Sequence, residues 1–316
     1  MGTRPKVIAA VLAVAAAVAA AVGAVVILSR DQETTTTTAT TEPATASTAA
    51  GGDPVLLGAG DIASCSSSGD EATAALLGAN PGTVFTAGDN AYDSGTDGEF
   101  ADCYGPSWGA YKARTRPAPG NHDYNTSRAS GYFGYFGAAA GDPAQGYYSY
   151  DLGAWHIVSL NSNCGVVSCS AGSAQEQWLR ADLVAHPTAC VAAYWHHPRY
   201  SSGTHHGSSD ATQALWQALY DADADLILTG HEHNYERFAP MTATGSVDDA
   251  RGIRSFVVGT GGRSHYGFGT PVTGSEVRND TAWGVLAVTL HADSYDWQFR
   301  PVAGQTFGDS GTQACH

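Results

Sequence analysis

The chain has 316 residues and a formal net charge of −15, from 30 acidic and 15 basic side chains. That length gives room for one large domain or two small ones. The acidic balance speaks against a nucleic-acid backbone binder, which needs a basic face, and no nucleic-acid surface is expected.

Val7 to Leu28 form 22 uninterrupted apolar positions, Ala and Gly included, behind Arg4 and Lys6. A run of that length spans a bilayer. It ends in Ser29-Arg30-Asp31 rather than in a small-residue cleavage site. Residues 1–30 therefore read as a cytoplasmic stub and a transmembrane signal-anchor, the alternative being a cleaved signal peptide. Basic residues ahead of the run keep the amino end inside and send the bulk of the chain outside. Residues 31–52 are dominated by Thr, Ala and Ser. They bury too little apolar surface to offset their ordering entropy and read as a disordered linker. The folded domain is expected over 53–316. It would lie outside the cytoplasm, anchored to the membrane by the amino-terminal helix, or secreted if that segment is cleaved.

Val55 to Ala59 is a short apolar strand candidate followed by Gly60-Asp61, and Glu71 to Leu77 is expected to be helical. Thr83 to Ala87 is a second strand, followed by Gly88-Asp89-Asn90-Ala91-Tyr92-Asp93. A looser stretch ends at Gly120-Asn121-His122-Asp123. Tyr147 to Leu152 and His156 to Leu160 read as a hairpin across Gly153-Ala154. Ser173-Ala-Gln-Glu176 is a capping box opening a helix to about Ala185. Cys190 to Trp195 is a strand running into His196-His197-Pro198, and Asp210-Ala-Thr-Gln213 is expected to cap a further helix. Asp225 to Thr229 is a buried strand ending in Gly230-His231-Glu232-His233. A terminal hairpin turns about Ala292-Asp293. Residues 124–146 and 241–282 read as loops, and Gly259-Thr-Gly-Gly262 as a turn near the site.

Six cysteines, with no Cys-x-x-Cys pair, suggest disulfides rather than a zinc–thiolate site. The sequence does not choose among the pairings. One arrangement closes a small loop at Cys164 and Cys169, ties Cys190 to Cys315, and leaves Cys65 with Cys103.

Helices alternating with buried strands, followed by hairpins, point to an α/β domain with mixed sheets. Repeatedly, a metal-binding residue type follows a strand end at once: Asp61, Asp89, Asn121, His196, His231 and His233. Carboxylate, amide oxygen and imidazole without thiolate suit Zn, Mn or Fe. Six ligands exceed the needs of one ion, and a shared carboxylate would hold two ions about 3.5–4 Å apart.

Gly-Asp, Gly-Asp-Asn, Gly-Asn-His-Asp, a strand-end His and Gly-His-x-His, in that order, resemble the calcineurin-like metallophosphoesterase superfamily over residues 55–237. Many members carry a ligand His two residues after the first Asp, where this chain has Ala63. Tyr92, three residues after Asp89, and the Tyr-Glu-Arg that ends at Arg237 are instead similar to the purple acid phosphatase branch. So is the spacing from His196 to His205-His206. His197 departs from the branch, which usually has Ser there in plant members, and no separate amino-terminal β domain fits ahead of Asp53.

The resemblance implies a four-layer αββα sandwich with two mixed sheets and a dinuclear site at the strand carboxyl ends. It implies Asp61, Asp89, Tyr92 and His233 on Fe(III). Asp89, Asn121, His196 and His231 would hold a divalent ion (Fe, Zn or Mn), and His122, His205 and His206 would face the phosphate. His197, Asp93, Asp123, Glu232 and Arg237 are read as support or packing residues, and His156 and His291 as structural. The expected activity is hydrolysis of a small-molecule phosphate monoester by a metal-activated hydroxide, with an acidic optimum. The alternatives are a divalent-metal phosphodiesterase or nucleotidase and, from another class, a non-catalytic surface binding module.

Overall fold

Short runs of apolar and β-branched residues, each bounded by glycine or a polar residue, build most of this molecule. The structure, a computed structural model, describes residues 52–316. In chain order, the first elements are β1 (Val55–Ala59), β2 (Ala63–Ser64), α1 (Gly69–Ala79), β3 (Thr83–Ala87), β4 (Ala91–Tyr92) and α2 (Asp97–Glu99). Next come β5 (Thr115–Ala118), α3 (Ser130–Phe136), β6 (Tyr148–Leu152), β7 (Trp155–Ser159), α4 (Ala174–Ala185) and β8 (Cys190–Tyr194). Then follow α5 (Gln213–Asp221), β9 (Leu226–Thr229), β10 (Tyr235–Phe238), β11 (Arg254–Val258), β12 (Ser275–Asn279), β13 (Gly284–Leu290), β14 (Ser294–Pro301) and β15 (Ser310–Ala314).

One sheet has the order β15-β14-β13-β1-β3-β5 and the other β12-β10-β11-β9-β8-β7-β6. Both are mixed: β1 runs parallel to β3 and antiparallel to β13, while β7, β8, β9 and β11 run parallel, β6 and β10 run against them, and β12 runs antiparallel to β10. The sheets pack face to face. Phe85 of β3 meets Tyr194 of β8, Trp155 of β7 meets Tyr295 of β14, and Phe256 of β11 meets Trp297 of β14.

Because side chains alternate along a strand, the second sheet is apolar on both faces. Ile157, Ala192, Leu228 and Phe256 enter the core between the sheets. Their neighbours Val158, Ala193, Ile227 and Val257 join Leu179, Leu183, Trp216 and Leu219 of α4 and α5 on the outer side. This is the αββα sandwich that the sequence implied.

Some local expectations change. The stretch read as loose before Gly120 holds β5, which pairs with β3 and delivers Asn121 and His122 to the strand ends. The segments read as loops contain α3, β11 and β12; their glycines and polar residues mask short elements that tertiary packing stabilises. Asp210 does not cap α5. Its carboxylate pairs with Arg199 at 2.5 Å, a charge-assisted bond that outcompetes a backbone cap, and residues 210–212 form a 3₁₀ turn. At α4, Ser173 does accept from the Glu176 N–H, but the Glu176 carboxylate turns to the Gly172 N–H and to Arg180.

Disulfides join Cys65 to Cys103, Cys164 to Cys169 and Cys190 to Cys315. The amino-terminal anchor and all of the linker but Gly52 lie outside the described residues. Among the described residues no helix is long and apolar enough to cross a membrane.

Candidate metal centre at the strand ends

Strands β1, β3 and β9 each end in glycine followed by a side chain that turns inward. Asp61, Asp89 and His231 all take the left-handed backbone conformation, with φ of 60°, 51° and 72°. For residues with a Cβ this stores strain, and such strain collects at functional sites. Two of the neighbouring glycines are required by close approach. A Cβ on Gly88, itself at φ 83°, would lie 2.6 Å from His196 Nδ1, and one on Gly120 would lie 2.1 Å from Asp89 Oδ1.

The strand ends bring all seven candidate ligands together, in two groups that share Asp89. In the first, the Tyr92 hydroxyl lies 2.9 Å from Asp61 Oδ1, 2.9 Å from Asp89 Oδ2 and 3.1 Å from His233 Nε2. The other ring nitrogen of His233 is held by Ser264 Oγ at 2.7 Å. In the second group, His196 Nδ1 donates to the Ala87 carbonyl at 2.8 Å. Its Nε2 edge then meets Asn121 Oδ1 at 3.0 Å, His231 Nδ1 at 3.0 Å and Asp89 Oδ2 at 3.3 Å. The Asn121 and Asp89 oxygens are acceptors. A proton or a metal cation has to lie among them.

The electrostatics point the same way. Asp61 and Asp89 are buried. The Arg263 guanidinium stands over the Tyr92 ring at 5.1 Å and pairs with the exposed Asp93. Burial alone would raise the Asp89 carboxyl, but the charge of His196 holds it well below the usual range. Burial would lower His196, but Asp89 lifts it to about 9. His231 is driven well below the ordinary imidazole value by burial and by His196, and His197 is pushed down to about 3 by the same causes. Both are therefore neutral, with lone pairs available. Burial and the two carboxylates push the Tyr92 phenol well above its ordinary value, so only a cation would make it a phenolate. The residues fit metal ions: paired buried carboxylates, imidazoles and an amide oxygen, and among the described residues no Lys or Arg pairs with either carboxylate.

The phosphate-facing candidates line the same rim. His122 donates its backbone N–H to Asp89 Oδ1 at 2.8 Å, and its Nδ1 bonds the Asp93 carbonyl at 2.6 Å. That leaves Nε2 for the site. The His206 ring stacks on His231 at 3.8 Å, and His205 packs on Tyr266 at 4.1 Å. Tyr266 itself stacks on His233 at 4.0 Å.

Further residues contribute, some read as support in the sequence and others not singled out there. Glu232, read as support, is buried, and its Oε1 accepts from the backbone N–H of His206 at 2.5 Å and of Gly207 at 2.6 Å, so it fixes the histidine loop. His197, also read as support, lies 4.4 Å from the His231 ring and shares a 2.8 Å hydrogen bond with Ser162 Oγ. Ser162 belongs to Asn161-Ser162-Asn163, a polar run just past β7, and that position was the available signal. Ser264 and Tyr266 lie in a loop with no local mark. Asp123 is lifted to about 7 by burial and by Asp89, and it braces the turn by accepting from Gly120 N and Asn90 Nδ2. Arg237 pairs with Asp309 and Glu276 away from the site. The Gly259–Gly262 turn does lie beside the site, since the Arg263 N–H donates to the Asp61 carbonyl at 3.1 Å.

A family model described as calcineurin-like phosphoesterase matches residues 56–235. Purple acid phosphatase 21 of Arabidopsis thaliana is 29% identical over 168 residues, which cover 46% of this chain and 38% of that protein. The chain thus aligns with well under half of the length of this relative. Among solved structures, purple acid phosphatase PPD1 from yellow lupin superposes with a TM-score of 0.69 at 18% identity, over 83% of this chain and 53% of that one. GAP50, the anchor in the inner membrane complex of Plasmodium, superposes with a TM-score of 0.66 at 14% identity, over 84% and 90%. At such identities the likeness is one of fold, and it is shared by a phosphatase and a membrane-complex anchor. Activity has to be argued from the side chains.

Proposed function

Since the chain belongs to the calcineurin-like phosphoesterase family, and so to the metallophosphoesterases, we propose that it hydrolyses phosphate monoesters in the manner of a purple acid phosphatase. One observation carries this finer reading: the Tyr92 hydroxyl meets Asp61, Asp89 and His233 at 2.9, 2.9 and 3.1 Å. A phenolate is a hard anionic donor and suits Fe(III). Asp61, Asp89, Tyr92 and His233 would hold that ion, and Asp89, Asn121, His196 and His231 a divalent one. When bound, the pair supplies positive charge to phosphate oxygens and acidifies water.

The chain's own residues do the rest. The Asp93 carbonyl fixes the His122 tautomer, so that Nε2 faces the phosphate and, when protonated, donates to it. His206, set against His231 by the Glu232 carboxylate, protonates the leaving alkoxide, with His205 beside it. His197 stays neutral, so it adds no charge that would compete with metal.

Residues 53–316 form the catalytic unit in this reading. Three disulfides support a place outside the cytoplasm, with the apolar amino-terminal segment as its membrane anchor. The test is elemental analysis and a visible spectrum on protein purified without chelator, with rates on aryl monoesters and diesters. Iron with a tyrosinate charge-transfer band and faster monoester cleavage are expected. A colourless, iron-free protein active with Mn or Zn and preferring diesters would turn the reading to a divalent-metal phosphodiesterase.

A further inference from the structure

At the opposite pole of the second sheet lies another group of imidazoles and carboxylates. His156 sits near the start of β7, so its side chain is placed away from the carboxyl ends where the metal centre gathers. It is buried, and both ring nitrogens face carboxylates: Nδ1 lies 2.8 Å from Asp151 Oδ1, across the β6–β7 hairpin, and Nε2 lies 2.8 Å from Asp182 Oδ2 of α4. One turn further along, His186 ends α4. Its ring stacks on that of His156 at 4.3 Å and 10°, and its Nδ1 bonds the Asp182 backbone carbonyl at 2.9 Å, with Asp182 Oδ1 at 3.4 Å, so that Nε2 is its free nitrogen. Ser149 donates to Asp182 Oδ1 at 2.8 Å. One donor atom from each of His156, Asp182 and His186 lies within 4.8 Å of the others.

We propose that His156, Asp182 and His186 form a second, separate binding site for a divalent transition ion such as zinc.

The donor set, two imidazoles and a carboxylate, is one that zinc takes readily, with water completing the sphere. Asp182 and His186 stand four residues apart on one helix face, the spacing that lets two side chains reach one ion. Asp151 plays the supporting part that metal-bound histidines usually have: it accepts from Nδ1–H, fixes the tautomer and leaves Nε2 free to coordinate. Charge also balances. In the metal-free protein His156 Nε2 and Asp182 Oδ2 share a proton. Zinc takes its place, the proton leaves to solvent, and two positive charges meet the carboxylates of Asp151 and Asp182. Access is open, because the His186 side chain is 42% exposed and that of Asp151 64% exposed. This inference does not depend on the function proposed above.

The test is zinc titration of the metal-free protein, read by calorimetry and elemental analysis rather than by hydrolysis. Asp89→Asn, which cripples the strand-end centre, should still take up zinc, and adding His186→Ala should remove one ion or weaken it at least about tenfold. Asp151→Asn should weaken the same ion about tenfold while keeping the stoichiometry. His186→Ala alone should leave hydrolysis unchanged. His186 is a half-exposed residue at a helix end, so this variant should fold even where His156→Ala does not. Equal zinc uptake and affinity with and without His186→Ala would overturn the proposal. So would zinc-soaked crystals with no anomalous density between His156 and His186.

Discussion

Asp309 and Asp89 are both carboxylates with little access to water, with side chains 8% and 2% exposed. Asp309 Oδ2 accepts from Arg237 Nε at 2.7 Å, from the Tyr235 hydroxyl at 2.7 Å and from Trp297 Nε1 at 3.3 Å. Its charge is answered within the chain. Asp89 faces Asp61 across the Tyr92 hydroxyl, which bonds both, and among the described residues its other partners are imidazoles and the His122 N–H, with no Lys or Arg. The difference is the clearest physical sign of function here. A buried charge that the fold balances itself is structural, whereas a buried pair left short of positive charge is made for something the chain does not contain.

Breaking each cluster should therefore give opposite phenotypes. Asp61→Asn keeps the side-chain volume and removes one of two facing charges. It should lower hydrolysis roughly a thousandfold or more through lost metal, while the metal-free fold loses no more than about 1 kcal/mol. Elemental analysis and thermal unfolding in chelator check the two halves. Arg237→Ala should do the reverse, costing about 3 kcal/mol of stability by leaving Asp309 unpaired. Denaturant titration should show this, with metal content and turnover per folded molecule preserved.

Smaller effects sharpen the contrast. His206→Ala should keep its metal but lose about a hundredfold in kcat with poor leaving groups, and much less with activated aryl esters. A normal rate on the poor substrates would remove its role as acid. Glu232→Ala should lower kcat about tenfold by freeing the histidine loop, and Glu232→Gln, which keeps the accepting oxygen, should recover most of it.

The smallest effect concerns pH. Burial lifts Asp70 from 3.8 to about 6, although Ser107 donates to it. A carboxyl raised in the folded state binds its proton more tightly there than in the unfolded chain. Its contribution is thus complete below about pH 4 and is lost as pH rises through 6. In metal-free protein, Asp70→Asn should flatten the fall in melting temperature over that window, an effect on the order of 1 kcal/mol after solvent screening.

Much of the candidate metal centre could be read before any coordinates, because Asp61, Asp89, His196, His231 and His233 follow short apolar runs at strand ends. That pattern is local: a strand, a glycine that permits the bend, then a polar side chain. The helix at Asp210 was legible by its apolar spacing, but its cap was not, because Arg199 competes for the carboxylate from eleven positions away. Ser264 and Tyr266 were illegible for a similar reason, since they reach His233 from a loop about 30 residues downstream. The role of Glu232 was hidden in plain view between two candidate ligands. Its target is the backbone of residues 206 and 207, and no sequence spacing records that a carboxylate points at an amide.

By itself, then, the sequence determined which residue types stand at the strand ends, in what order, and hence the family and its two-sheet frame. Tertiary structure alone decided which histidines stay neutral, how the cysteines pair, and that His156 meets Asp182 and His186 far from the strand ends. The reason is physical. Strand propensity and glycine geometry act within a few residues, whereas burial, field and hydrogen-bond partners belong to space and arise only when distant segments meet.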